Sequence, residues 1–218
     1  MSQGGVFITF EGCDCSGKST QIASLVRKLE SMGKDPVVTR EPGGTPFGEM
    51  IRDLLLSLES PDRGILSEVF LYAAARAELV AKVIRPALDR GRIVISERYA
   101  DSTWVYQGYA GGVSLSAIEN INAIATGGLE PDLTIIFDIS GPMVLEERFE
   151  GKTKDKIESR SEEYHEKVRE GYRVLAQRFP DRTVVIDASK DVGEVENQVL
   201  KEVIDVLVRK GYRLNTVT

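Results

Sequence analysis

Short apolar runs alternate with longer stretches of helical periodicity along the whole chain. Val6-Phe7-Ile8-Thr9-Phe10, Pro36-Val37-Val38-Thr39, Ile93-Val94-Ile95-Ser96, Leu133-Thr134-Ile135-Ile136-Phe137-Asp138 and Thr183-Val184-Val185-Ile186-Asp187 are brief and rich in β-branched residues. They predict five buried strands. Between them, Ile22, Leu25, Val26, Leu29 and Met32 recur at helical spacing, with Gly33 as a stop. Met50, Ile51, Leu54 and Leu55 mark a second helix with Arg52 on its other face. An alanine- and leucine-rich helix runs from Ser67 to about Asp89, where Pro86 predicts a kink or interruption. Ser102–Tyr109 predicts a further helix. Ser116 and Glu119 have the spacing of a capping box, and the helix they open stops near Gly127-Gly128. A helix is expected from about Pro142, another under Tyr164, Val168, Tyr172, Leu175 and Phe179, and a last one under Val195, Val199, Val203 and Leu207. Strands alternating with helices predict an α/β fold: a five-stranded parallel sheet flanked by helices on both faces. No repeat and no long linker divides the chain, so residues 1–218 read as one domain.

Composition narrows the partners more than the fold. A hydrophobic content of 42% and a charged content of 28% are ordinary for a globular chain. A net charge of −6 argues against a nucleic-acid or membrane-surface partner, yet permits a local basic pocket for a small anion. No apolar run has the length of a membrane span, and Met1–Gly5 lacks the basic start of a signal peptide, so a cytoplasmic protein is expected. Cys13 and Cys15 are two apart, too close for a structural staple, and suit a reducing compartment.

The stretch Gly12-Cys13-Asp14-Cys15-Ser16-Gly17-Lys18-Ser19, with Thr20 behind it, carries the chemistry. It satisfies G-x-x-x-x-G-K-[ST] and lies between a predicted strand and a predicted helix, the setting in which loop amides and a helix N-terminus cradle phosphate. Lys18 is expected on the β- and γ-phosphates and the Ser19 hydroxyl on Mg²⁺. The chain thus reads as a nucleoside triphosphate binder, and the absence of N-K-x-D argues against guanine specificity. Arg40, Arg52, Arg76 and Arg98 fall on segments at the predicted ligand edge of the sheet. Guanidinium forks match phosphate oxygens and point to a second, anionic substrate. Gly151–Arg160, charged and free of aromatics, reads as a solvated loop or as a mobile lid able to supply cations.

Four motifs in order give the chain an end-to-end resemblance to the thymidylate kinase family: Phe10–Gln21, Arg40-Glu41-Pro42-Gly43-Gly44-Thr45, Arg98–Gly108 and Pro131-Asp132-Leu133-Thr134. The resemblance implies a P-loop NTPase fold of the nucleotide-kinase type, and phosphorylation of dTMP to dTDP by MgATP. It implies ATP contacts along Gly12–Thr20, with Arg148 stacking on adenine, and a lid at about residues 148–162. Asp14 would meet the sugar 3′-hydroxyl, and Arg52 and Arg98 the acceptor phosphate. Tyr72 would stack on thymine and Arg76 read a base carbonyl. Thr103 and Gln107 would lie near the base or sugar, and Tyr106 against the deoxyribose. Glu41, in the second motif, joins these substrate contacts. A homodimer is implied as well. The chain departs from the family at Glu97, where aspartate is usual beside Arg98, and this carboxylate is expected to serve the metal with Ser19. It departs again at Cys15, where some relatives have arginine, and in the lid, where Lys152, Lys154 and Lys156 replace arginines. Lys156, or else Lys152, is expected to neutralise charge on the γ-phosphoryl group alongside Lys18 and Arg98. A broader dTMP/dUMP kinase and a regulator that binds nucleotide without catalysis are the alternatives.

Overall fold

The structure, a computed structural model, describes residues 4–139 and 155–213. Its five strands are β1 (Val6–Gly12), β2 (Val37–Arg40), β3 (Ile93–Glu97), β4 (Leu133–Asp138) and β5 (Thr183–Asp187). All pair in parallel, in the order β2-β3-β1-β4-β5. Every residue of β1 is buried, as expected of a central strand covered on both faces. Register brings Phe10 beside Glu97 and Arg40 beside Glu97, so β1, β2 and β3 end together. The order reverses around β1, and the crevice beyond the carboxyl ends there is where such sheets bind ligands.

The helices are α1 (Lys18–Ser31), α2 (Pro46–Leu56), α3 (Ile65–Leu79), α4 (Arg85–Asp89), α5 (Ala100–Thr103), α6 (Leu115–Thr126), α7 (Glu162–Arg178) and α8 (Val192–Arg209). One face of the sheet packs Ile8, Phe10, Ile95 and Ile135 against Leu25 and Leu29 of α1 and Val199, Val203 and Leu207 of α8. Much of the other face is covered where Ile136 meets Val69, Trp104, Val105, Val168, Tyr172 and Leu175. The helical periodicity read from the sequence thus selects the buried stripes of α7 and α8.

The interruption expected at Pro86 is present: a π-helical turn, Val80–Ile84, separates α3 from α4, and Pro86 falls in the first turn of α4. The widened turn absorbs the missing N–H and the steric bulk of the ring. Two other expectations need correction. Ser116 does not cap α6, which begins at Leu115 after Ser114. Glu119 instead accepts from Trp104 Nε1 (3.1 Å) and pairs with Arg178 (2.9 Å), tying α6 to its neighbours. A second π-helical segment, Trp104–Ala110, continues α5 and replaces the plain helix expected there. The helix anticipated from Pro142 lies outside the described residues.

Candidate active site

The loop between β1 and α1 is built for an anion. Gly12 has φ +130°, and a Cβ there would stand 2.5 Å from the Phe137 carbonyl oxygen, so only glycine lets the loop leave the sheet. Gly17 caps α1 in the left-handed conformation with no side-chain bond, and the first turn holds no acidic residue. The first amides of α1 therefore face the cleft without a competing acceptor. Lys18 is buried and folded back: Nζ donates to the carbonyls of Cys13 (2.7 Å) and Gly12 (3.2 Å). Burial, then Arg98, lowers its affinity for a proton, while Asp14 and Glu97 oppose this. Cys15 to Thr20 line a cleft of about 650 Å³ with Glu97, Glu158, Lys190 and Val192. Gly12 and Cys13 are not on its wall; Cys13 packs into the core, and burial pushes its thiol up to about 11.

Ser19 Oγ donates to Glu97 Oε2 at 2.9 Å. Two hard oxygen donors side by side suit a small divalent cation. No group of three or more carboxylate, cysteine or histidine ligands occurs among the described residues.

A second cavity lies beside the loop. Asp14, Glu41, Arg52, Tyr72, Arg76, Arg98, Thr103, Tyr106 and Gln107 all line it, so every candidate substrate contact read from the sequence converges on one wall. Arg98 stands at its centre. Its guanidinium donates to Asp14, to Tyr106 OH (3.3 Å), and through Nη1 to Ser102 Oγ (3.2 Å) and Tyr172 OH (3.1 Å). Burial works against the Asp14 charge, but Arg98 and Lys18 hold its carboxyl below the usual carboxylate range. Arg52 Nη1 donates to the Pro42 carbonyl (3.0 Å), which aims the side chain along the cavity wall. Tyr106 is buried, with Arg98 5.1 Å from its ring centroid, while Tyr72 is half-buried.

Three arginines are more committed than their sequence positions suggest. Arg76 is 1% exposed and donates to Glu41 (2.8 Å), Asn122 (2.7 Å), the Tyr99 carbonyl (3.1 Å) and Thr103 (3.0 Å). A guanidinium has five N–H groups, so at most one remains for a base carbonyl. Arg40 pairs with Glu49 (3.0 Å) outside the cavity, and Glu49 also accepts from the Gly44 amide (2.8 Å). Arg160 is held by Glu68 and Tyr164.

The lid lysines fare differently from expectation. Lys156 turns away from the phosphate loop: Nζ donates to the Ser60 carbonyl (2.5 Å) and pairs with Asp62 (3.0 Å). Its neighbours Asp155 and Ile157 face the cavity instead. Arg148, Lys152 and Lys154 lie outside the described residues.

Three functional groups escaped the sequence. Glu11, the first residue after the apolar run of β1, is fully buried beneath Arg98. Tyr172, read only as a core aromatic of α7, turns its hydroxyl to Glu11 and Arg98. Glu158 brings a carboxylate to the phosphate cleft, and burial, with Asp14 and Asp155 nearby, raises its pKa. The helical spacing of Tyr172 signals burial, not the direction of its hydroxyl. The cues to Glu11 were an acidic residue near the end of a buried strand and its place inside the motif Phe10–Gln21.

Comparison with known proteins bears on both clefts. A family model described as thymidylate kinase matches residues 10–199. The chain is 47% identical over 205 residues to the thymidylate kinase of Symbiobacterium thermophilum, covering 94% of this chain and 95% of that one. It is 44% identical over 207 residues to the thymidylate kinase of an Exiguobacterium species, covering 95% and 98%. The crystal structure of thymidylate kinase from Ehrlichia chaffeensis superposes with a TM-score of 0.75 at 35% identity, covering 92% of this chain and 99% of that one.

Proposed function

The chain belongs to the thymidylate kinase family, and we propose that its two clefts bind ATP and dTMP end to end for direct phosphoryl transfer. It phosphorylates dTMP to dTDP with ATP, a step toward dTTP. The observation that carries the reading is Asp14, which lines both clefts and bonds to Arg98 and Tyr106. The phosphate loop and the acceptor cavity thus share a wall at the point of transfer.

In this reading the loop amides and Lys18 hold the β- and γ-phosphates. Arg98 and Arg52 hold the dTMP phosphate, Tyr72 and Tyr106 pack on thymine and deoxyribose, and Thr103 and Gln107 bond at the base. Phosphoryl transfer in the family generally needs a divalent metal; we take it to be Mg²⁺, held by Ser19 and Glu97, where it neutralises charge on the phosphates. The acceptor is an ionised phosphate, so no strong general base is required, and catalysis is positioning plus electrostatics. The chain acts as one domain whose lid, about residues 148–162, closes to exclude water. Lys156 reaches the γ-phosphoryl group only by leaving Ser60 and Asp62, which leaves Lys152 as the lid cation. Alanine at Lys152 should then lower turnover while alanine at Lys156 leaves it near wild type; the reverse result returns the role to Lys156.

A homodimer is part of the proposal. Phe47, Met50 and Leu54 on α2, with Leu66 and Phe70 on α3, are 42–70% exposed on two helices that pack together. An apolar face of this kind suits self-association. No helix among the described residues is long and apolar enough to cross a membrane. Cytoplasmic action without nucleic-acid partners is our reading.

The test is ADP release from MgATP against dTMP, dUMP, UMP, CMP and AMP, with products identified by chromatography. Turnover centred on dTMP supports the assignment. Equal turnover of all five discards the pocket roles, and nucleotide binding without turnover favours a regulator.

A further inference from the structure

Arg98 has φ +66°, a left-handed backbone that side chains with a Cβ rarely adopt. Its surroundings must hold it there. The Arg98 amide donates to the Phe10 carbonyl (2.9 Å), and Ser96 Oγ donates to the Arg98 carbonyl (2.7 Å). The next amide, of Tyr99, donates to Glu11 Oε1 (2.8 Å). The second oxygen of Glu11 accepts from Ser102 Oγ (2.6 Å) and Tyr172 OH (2.9 Å). These are the two hydroxyls to which Arg98 Nη1 donates.

Hydrogen polarity makes this arrangement directional. Each hydroxyl has one proton, and a carboxylate can only accept. With Glu11 ionised, each hydroxyl can give its proton to Glu11 and turn a lone pair toward the guanidinium, although the two hydroxyls also lie within 3.1 Å of each other. With Nη1 held on that side, Nη2 faces Asp14 and Tyr106 at the cavity wall. We propose that Glu11 is a positioning residue which, through Ser102 and Tyr172, sets the direction in which Arg98 presents its guanidinium to the acceptor phosphate. The inference rests on the reading of Arg98 as a phosphate contact and assigns a part of that grip to a residue the substrate does not touch.

Glu11→Gln tests it with almost no change of shape. The amide NH₂ donates where the carboxylate accepted, so Ser102 and Tyr172 turn lone pairs to it and present hydrogens toward Arg98. Binding of dTMP and of thymidine, which lacks the phosphate, would be measured by titration calorimetry on the full chain. The expected result is about tenfold weaker dTMP binding, the loss of one charge-assisted bond, with thymidine and ATP within about twofold of wild type. Tyr172→Phe should weaken dTMP a few-fold, and the double variant should be no worse than Glu11→Gln alone. Equal weakening of dTMP and thymidine, or no weakening of dTMP, overturns the proposal. If Glu11→Gln does not fold, Tyr172→Phe and Ser102→Ala carry the same comparison, and equal losses for both ligands overturn it. Arg98→Met separates the two layers. If it weakens dTMP while Glu11→Gln does not, the positioning role fails alone; if it leaves dTMP binding intact, the phosphate-contact reading fails with it.

Discussion

Arg76→Ala is expected to destabilise the protein by about 3–5 kcal/mol, the usual cost of breaking a buried ion pair from one side. Arg76 and Glu41 are 1% and 5% exposed and 2.6 Å apart. Glu41 Oε2 has Arg76 as its partner, and Oε1 is buried with no protein partner. Removing the guanidinium strands this carboxylate and leaves the Asn122 amide oxygen and the Tyr99 carbonyl short of a donor. Each stranded acceptor costs about 1–3 kcal/mol, and the figures overlap with the charge penalty instead of adding to it. In a chain of this size the loss corresponds to a drop of about 10 °C or more in Tm. The pH dependence gives the sharper check. Burial raises the Glu41 carboxyl above the ordinary range although Arg76 opposes it. A folded-state pKa above the unfolded value means that stability from this group falls as pH rises through the folded pKa. Without Arg76 the rise is larger, so the deficit relative to wild type should grow from pH 5 to pH 8. Urea denaturation across that range measures it. Glu41→Gln combined with Arg76→Met removes both charges and should recover most of the loss. A deficit under about 1 kcal/mol, or one equal at both ends of the pH range, refutes the reasoning.

Burial and the nearby Asp101 push Glu11 up to about 7 from an ordinary 4.5, so its contribution to stability should fall as pH rises from about 4.5 to 7. The fall is at most about 3 kcal/mol, and urea midpoints should show it in wild type but not in Glu11→Gln. Glu97→Ala removes the carboxylate beside Ser19 and should raise the Mg²⁺ concentration for half-maximal turnover about tenfold or more, read from a metal titration at saturating ATP. Glu97→Asp should stay active, and a large gain in rate would mark the natural glutamate as impaired. If the proposed homodimer forms through this face, wild type should sediment as a dimer at micromolar concentration and Met50→Glu with Phe70→Glu, which charges the exposed apolar face, as a monomer. Gly44→Ala should cost about 1–3 kcal/mol in thermal unfolding, since Gly44 has φ +77° and a Cβ would meet Thr39 Oγ1 at 2.4 Å.

The parallel sheet was legible because each strand is a separate β-branched run, and four of the five begin at the residue predicted. The acceptor cavity was legible for a different reason: six of its nine candidate residues belong to three motifs at strand ends, and Arg52, Tyr72 and Arg76 come from the helices α2 and α3. What sequence could not supply is the direction of each side chain. Arg40 and Arg98 sit at neighbouring strand ends, yet one pairs with Glu49 outside the cavity and the other stands at its centre. Lys156 lies between two residues that face the cavity and itself turns to Ser60 and Asp62. Charge and spacing are equal in such cases, and only the packed backbone distinguishes them. The π-helical turns were hidden likewise, because Val80–Ile84 and Trp104–Ala110 carry ordinary helical composition.

Asp14 explains how two cations can sit beside one another in the empty site despite their mutual repulsion. Lys18 lines one cleft and Arg98 the other, and the charge of Arg98 lowers the proton affinity of Lys18. Asp14 lies between them, bonded to Arg98 and electrostatically coupled to both. Its charge offsets their repulsion before either substrate arrives. In the proposed reading, two phosphate groups entering from the two clefts would bring more negative charge than Asp14 alone supplies, and Lys18 would then exchange the Gly12 and Cys13 carbonyls for phosphate oxygen. Asp14→Asn keeps the shape but removes this compensation. Lys18 and Arg98 then repel each other in the empty site, and filling it with both phosphates relieves that strain. The expected signature is a lower Tm without substrates and a larger Tm rise on adding ATP and dTMP than wild type shows. A variant with the wild-type Tm in the empty state would mean that Asp14 serves only as a hydrogen-bond acceptor.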